Sequence, residues 1–229
     1  MTLRDSWETN ALAWARWAIS PTLDFEYRQI NRPQFLELLP PPGRLSLDIA
    51  CGEGRLPREL AALGHRVVGI DASPTLIRVA QGRGGGVRYV RGDATRLPFP
   101  DGVVDLAIAF FCLHDIEDLQ TVIGEAARVL MPGGRFCIAI QHPTLSVRSA
   151  AGSDVSNAFE SYFDSRPYAF TIEREGQRMT FHSIHRPLAA YFGALEEAGL
   201  LVEALREPVP PDPTWPRIPV FLYIRAVRA

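Results

Sequence analysis

Apolar residues Trp7, Ala11, Trp14 and Ala18 recur at three- and four-residue steps over residues 6–19, the spacing of one helix face. A second short helix is expected to carry Phe35, Leu36, Leu38 and Leu39 before Pro40, Pro41 and Pro42 end it. The rhythm then changes. Short apolar runs at 45–50, 67–70, 87–90, 104–110 and 135–140 read as strands, with helices expected at 56–63, 74–80 and 116–130 and a Pro132-Gly133-Gly134 turn. Apolar runs alternating with helices predict an α/β, doubly wound fold: a mostly parallel sheet covered on both faces, with right-handed crossovers.

The last third is less regular. Runs at 167–172 and 179–184 flank Glu175-Gly176 and predict a hairpin insert. A helix over 188–198 should end at Gly199, followed by strands at 200–205 and 220–227. The Pro-rich 207–219 stretch between them must be a loop with no room for a crossover helix. The final strand is therefore expected to run antiparallel, completing a seven-stranded sheet. At 229 residues and 47% hydrophobic, the chain suits one domain. Its expected parts are amino-terminal helices (1–44), a strand–helix core (45–141), a hairpin-bearing insert (142–186) and a closing helix with strands (187–229).

The 24 basic residues nearly cancel the 26 acidic ones, which argues against nucleic acid or an anionic membrane as partner. All the basic residues are Arg, so lysine Schiff-base chemistry, a lysine base and a phosphate-loop lysine are excluded. Cys51, Cys112 and Cys137 form no C-x-x-C pair, which suits a reducing, cytoplasmic setting. The start lacks the pattern of a secretory signal, and the longest apolar run, 103–113, is interrupted by Asp105 and too short to span a bilayer.

Ligands of an open parallel sheet bind beyond the carboxyl ends of its strands. The first strand is followed by Asp48-Ile49-Ala50-Cys51-Gly52-Glu53-Gly54-Arg55, where glycines let backbone approach a ligand. Asp71 ends the second strand, where a carboxylate can accept from ribose hydroxyls, and Gly92-Asp93-Ala94 follows the third, where one can accept from an exocyclic amine. In this order the three features point to an adenosine-containing ligand. Pro57 stands where a dinucleotide fingerprint needs its third small residue, which places a nicotinamide-dependent oxidoreductase second. A non-catalytic cofactor-binding regulatory protein is a further alternative.

The chain resembles the class I S-adenosylmethionine-dependent methyltransferases, especially the type 11 small-molecule group. The resemblance rests on Leu47-Asp48-Ile49-Ala50-Cys51-Gly52-Glu53-Gly54, Val68-Gly69-Ile70-Asp71-Ala72-Ser73, Gly92-Asp93-Ala94 with Leu97-Pro98-Phe99, and Glu125 to Gly134 ending in Met131-Pro132-Gly133-Gly134. It implies S-adenosylmethionine as cofactor and S-adenosylhomocysteine as product. Asp48, Gly52 and Gly54 would hold the methionine end, Asp71 with Ala72 the ribose, and Asp93 with Ala94 the adenine, while Phe110 would border the same site. Ala50 stands where the family usually has Gly and would crowd the site if it needs a positive φ.

Methyl transfer from a sulfonium depends chiefly on alignment, and a base is needed only when the acceptor must lose a proton. His114 and His142 are the imidazoles expected nearest the methyl group, each alternatively a cap or turn residue. Tyr162, Arg186, Tyr191 and Trp215 are candidates for the acceptor pocket. Trp14, Trp17, Phe25 and Tyr27 could form the lid, with Trp14 expected to be core. His182 and His185 fall on opposite strand faces, so no shared metal is expected. The run Ala109-Phe110-Phe111-Cys112-Leu113-His114 lacks an Asn/Asp-Pro-Pro-aromatic motif, which with the near-neutral charge lowers DNA, RNA and protein acceptors and favours a small organic one; a monomer or homodimer with no nucleic acid or membrane partner is expected.

Overall fold

The computed structural model describes residues 2–146, 162–210 and 218–229. Its main sheet contains β1 (Ser46–Ile49), β2 (Val67–Asp71), β3 (Arg88–Arg91), β4 (Val104–Phe110), β5 (Leu130–Gln141), β8 (Leu200–Arg206) and β9 (Phe221–Arg228). Their order is β3-β2-β1-β4-β5-β9-β8. The first five strands run parallel, and β9 lies antiparallel between β5 and β8. This is the doubly wound, seven-stranded sheet with one reversed strand that the sequence predicts.

Alternate residues of β4 show why both faces must be covered. Ala107 and Ala109 join the core beneath α5 (Leu119–Val129) and α6 (Leu188–Glu197), whereas Leu106 and Ile108 join the core beneath α2 (Arg32–Leu36) and α3 (Arg55–Ala62). All four are buried, as expected for a strand sandwiched between two helical layers. The remaining helices are α1 (Leu3–Ile19) and α4 (Pro74–Gly82), which pack on each other beside the strands' carboxyl ends.

Several boundaries move for local reasons. Helix α1 starts earlier than its apolar stripe because Thr2 and Asp5 form a reciprocal capping box. Helix α5 starts later, at Leu119, because the Asp118 carboxylate accepts the Thr121 N–H at 3.0 Å. The second expected helix is shorter and earlier, following a wide turn at Tyr27–Asn31. Strand β5 includes the Pro-Gly-Gly segment: Val104 pairs with Leu130 but Leu106 with Arg135, so the extra residues bulge outward, with Gly133 at φ 74°.

The hairpin forms a separate two-stranded sheet, β6 (Arg166–Arg174) and β7 (Gln177–His185), turning at Glu175 and Gly176 with φ of 51° and 72°. Arg186 fastens its base. The buried guanidinium donates to the carbonyls of Leu113 (3.0 Å), Ile116 (2.6 Å) and Glu117 (2.8 Å), tying the hairpin to the turn after β4.

Two outcomes follow from the backbone. Arg186→Met strips hydrogen bonds from three carbonyls and should lower unfolding free energy by roughly 2–4 kcal/mol in urea denaturation. Ala50 sits in the left-handed region at φ 54°, so Ala50→Gly should raise stability by about 1 kcal/mol, read as a higher Tm.

Candidate cofactor and acceptor site

A cavity of about 530 Å³ opens beyond the carboxyl ends of β1 to β5, roofed by α1 and the hairpin. Asp48, Ala50 and Gly52 line it from β1 and the following loop, Asp71 and Ala72 from β2, Asp93 and Ala94 from β3, and Phe110 from β4. Asp71 orders this end. One of its oxygens accepts the Gly52 N–H and the other the Ser73 N–H, both at 2.8 Å. Burial raises its carboxyl above the usual range, and these two bonds oppose that rise.

Two neighbouring carboxylates are incompletely matched. Asp48 is 2% exposed, and its Oδ1 has no hydrogen-bond partner among the described residues. Burial, with the nearby Asp71 charge, pushes it well above the ordinary carboxylate range. Glu53, also on the wall, pairs one oxygen with Arg58 and Arg83 while its buried Oε1 has no partner among the described residues. Asp93 accepts from the Thr95 N–H (2.9 Å) and Oγ1 (2.8 Å) and pairs with Arg4 of α1. Burial raises its carboxyl, but the Arg4 and Thr95 bonds outweigh that and hold it below the usual value. Glu8, also of α1, accepts from the Ser73 and Thr75 hydroxyls, so the helix is anchored where β2 ends.

Gly54 lies outside the cavity lining. At φ 82° it allows the Tyr89 ring to pass; a Cβ there would sit 2.5 Å from the Tyr89 hydroxyl oxygen. In the structure this glycine serves packing against Tyr89.

The other end of the cavity is aromatic. Trp7, Trp14 and Trp17 of α1 meet Phe181 of β7 edge-on at centroid distances of 6.3, 6.1 and 6.4 Å. Phe170 stacks on Phe181 at 5.0 Å, and Phe110 and Phe111 form the floor. Trp14 is thus on the cavity wall and not only in the core. Two arginines face this end. Arg174 makes a two-oxygen pair with Glu26 (2.8 and 2.5 Å), and Arg55 pairs with Asp24 (2.5 Å) while lying 3.6 Å over the Tyr27 ring.

Between the two ends, His114 and Asp115 reach the wall from the turn after β4. Ser183 Oγ of the hairpin donates to Asp115 Oδ1 at 2.6 Å, and His114 Nε2 lies 3.8 Å from that oxygen. His114 Nδ1 is buried without a partner among the described residues. Burial, reinforced by Arg186, pushes the imidazole down to about 4. Burial raises Asp115 to about 8, against the opposing effects of Ser183 and Arg186.

Other expected site residues are engaged elsewhere. His142 lies off the cavity, accepting from the Thr144 N–H at Nδ1 (3.1 Å) with Nε2 3.2 Å from Glu207. The Tyr162 hydroxyl accepts the Leu188 N–H at the start of α6, Tyr191 is packed in the core, and Arg186 is the clamp described above. None of these four, expected in catalytic or acceptor-binding roles, lines the cavity formed by the described residues. Trp215 lies outside the described residues. The sequence marked residues 111–115 and the hairpin as places that could shape the acceptor site, but singled out none of Trp7, Glu53, Asp115, Ser183, Phe170 and Phe181. The hairpin pair was accessible in principle, since Phe170 and Phe181 stand directly opposite in its register.

Cys51 and Cys112 border the cavity and Cys137 lies beneath the sheet; all three thiols are buried and raised by burial. No helix among the described residues is long and apolar enough to cross a membrane.

Comparison with known proteins agrees with this geometry. Residues 47–138 match the family described as "Methyltransferase domain". The demethylmenaquinone methyltransferase of Tropheryma whipplei (strain Twist) is 29% identical over 178 residues, covering 64% of this chain and 74% of that protein. The demethylmenaquinone methyltransferase of Thermus thermophilus is 40% identical over 119 residues, 49% of this chain and 54% of that protein. A crystal structure of an S-adenosylmethionine dependent methyltransferase from Mesorhizobium loti superposes with a TM-score of 0.66 at 25% identity, over 86% of this chain and 96% of that one. Geranyl diphosphate C-methyltransferase from Streptomyces coelicolor A3(2), solved with S-adenosyl-L-homocysteine, shares the fold at a TM-score of 0.62 and 18% identity, over 87% of this chain and 78% of that one. Motif order, strand order and the family match over residues 47–138 agree in making the chain similar to the class I S-adenosylmethionine-dependent methyltransferases of the type 11 group.

Proposed function

We propose that the protein transfers the methyl group of S-adenosylmethionine to a small, largely apolar organic acceptor held between α1 and the hairpin. One observation carries this reading: Asp48 and Glu53, each with a buried carboxyl oxygen that has no partner among the described residues, line the same cavity whose other end is walled by aromatic rings. Buried acceptors without donors suit a ligand bearing positive charge and N–H or O–H groups, as this cofactor does. The names of the two demethylmenaquinone methyltransferase relatives favour an acceptor built on a ring.

In this reading residues 45–141 form the cofactor core, with 1–44 and 142–186 enclosing the acceptor within a single domain. Asp48 and Gly52 take the methionine end, with Ala50 alongside and Glu53 added by its free oxygen. Asp71 and Ala72 border the ribose, and Asp93 and Ala94 the adenine, where Arg4 shares the Asp93 carboxylate. Phe110 separates the cofactor from the acceptor. When bound, the cofactor supplies an activated sulfonium methyl group, and the protein contributes alignment and exclusion of water. If the acceptor must lose a proton, His114 and Asp115 are the groups positioned to take it; Asp115 titrates nearer neutrality.

Calorimetric titration tests the reading. S-adenosylmethionine and S-adenosylhomocysteine should bind with micromolar affinity, and Asp71→Ala should weaken both by roughly tenfold or more through loss of charged hydrogen bonds. Binding of NADH in their place would support the oxidoreductase alternative.

The buried His114–Asp115 pair also sets a pH dependence. His114, lowered to about 4 from 6.5, stabilises the fold fully above 6.5 and less as pH falls towards 4. Asp115, raised from 3.8 to about 8, acts oppositely, its contribution declining from 3.8 upwards until pH passes 8. The two nearly cancel from pH 4 to 6.5; between 6.5 and 8 only Asp115 of the pair makes stability fall, by at most about 1.4 kcal/mol per pH unit. Chemical denaturation of ligand-free protein should show this decline, and Asp115→Asn should lessen it, leaving the part that buried Asp48 contributes in the same direction.

A further inference from the structure

The charge arrangement of the cavity carries information about the acceptor beyond its size. At the cofactor end the acids exceed their partners, with buried Asp48 and Glu53 oxygens unsatisfied among the described residues. The aromatic end is different. Its charges come in matched pairs already closed on each other: Arg174 with Glu26, and Arg55 with Asp24. Both pairs are largely sheltered, with side-chain exposures of 28% and 19% for the first and 17% and 13% for the second. Each arginine is further committed, Arg174 to the Leu23 carbonyl at 2.6 Å and Arg55 to the Tyr27 ring.

A carboxylate or phosphate entering this end would have to displace Glu26 or Asp24, leaving a sheltered acid unpaired. An ammonium would have to displace an arginine. Both substitutions exchange a formed pair for a new one at the expense of burying a lone charge. By contrast, the buried hydrogen-bonding atoms without partners among the described residues on the lining side chains from the middle of the cavity to this end are uncharged: the Trp7 indole N–H, the Tyr27 hydroxyl and His114 Nδ1 on an imidazole that burial keeps neutral. The rings of Trp14, Trp17, Phe170 and Phe181 supply flat apolar walls.

We infer that the acceptor is an uncharged, planar aromatic molecule carrying hydroxyl or carbonyl oxygen, and that the Arg174–Glu26 and Arg55–Asp24 pairs are the elements that reject its anionic counterparts. The inference rests on the methyltransferase reading for the identity of this end as the acceptor subsite. The chemistry of specificity is negative as well as positive: the cations are present, but their partners are built into the wall.

Three probes of one ring system separate the possibilities: naphthol, naphthoate and naphthylmethylammonium, titrated calorimetrically at neutral pH into the full chain with and without saturating S-adenosylhomocysteine. Naphthol should bind at least about tenfold tighter than either ion. Glu26→Gln, which releases Arg174 while keeping the side chain's shape, should raise naphthoate affinity several-fold and leave naphthol within about twofold. Asp24→Asn should do the same through Arg55, so the test survives the loss of either variant to misfolding. Either ion binding wild type as tightly as naphthol, no binding of naphthol, or unchanged naphthoate affinity in folded variants overturns the proposal. Failure of S-adenosylhomocysteine to bind while naphthol preference persists would instead remove the methyltransferase reading and leave the pocket's charge selectivity standing.

Discussion

The site depends on a single bridging carboxylate. Asp71 ends β2, yet its two oxygens hold the backbone N–H groups of Gly52 and Ser73, on the loops after β1 and β2. Parallel pairing of β1 with β2 brings those loops side by side but does not fix their paths. The bridge does. It stabilises a loop that passes through three left-handed positions, Ala50, Gly52 and Gly54, one of them with a side chain. A buried carboxylate is costly to desolvate, and two charge-assisted hydrogen bonds of 2.8 Å are what offset the cost.

Around this fixed centre the enclosing parts are attached by polar contacts at their ends. Helix α1 reaches the strand ends through Arg4 on Asp93 and Glu8 on Ser73 and Thr75; the hairpin is held at its base by Arg186 and at its middle by Ser183 on Asp115. The aromatic rings of both elements then meet each other above the sheet. Apolar contact closes the roof, and hydrogen bonds determine where it closes.

The sheet was legible because its central strands are buried on both faces and therefore read as continuous apolar runs. The reversed β9 was legible from prolines that leave no crossover helix. The ends of β1, β2 and β3 were legible too, since topology alone brings Asp48, Asp71 and Asp93 to one side. Residues judged by chemical type fared worse. Arg186, Tyr162 and His142 have groups capable of binding an acceptor, but their partners are backbone atoms or side chains distant in sequence, which no local pattern reveals. Asp115 was legible only as the end of the 111–115 stretch, because its setting depends on Ser183, 68 residues away on the hairpin. Trp14 illustrates the same limit: one helical stripe supplies both core and cavity wall, and periodicity cannot divide them.

The distribution of thiols gives the molecule internal reporters of opening. Cys137 lies fully buried in the layer beneath the sheet, so a thiol reagent can reach it only when β5 loses its cover. Cys51 and Cys112 stand in the cavity wall, beneath α1 and the hairpin. Their labelling kinetics would therefore follow displacement of the roof, while that of Cys137 would follow loss of the fold. Without any introduced probe, the chain distinguishes breathing of its binding site from global unfolding on the clock of thiol modification.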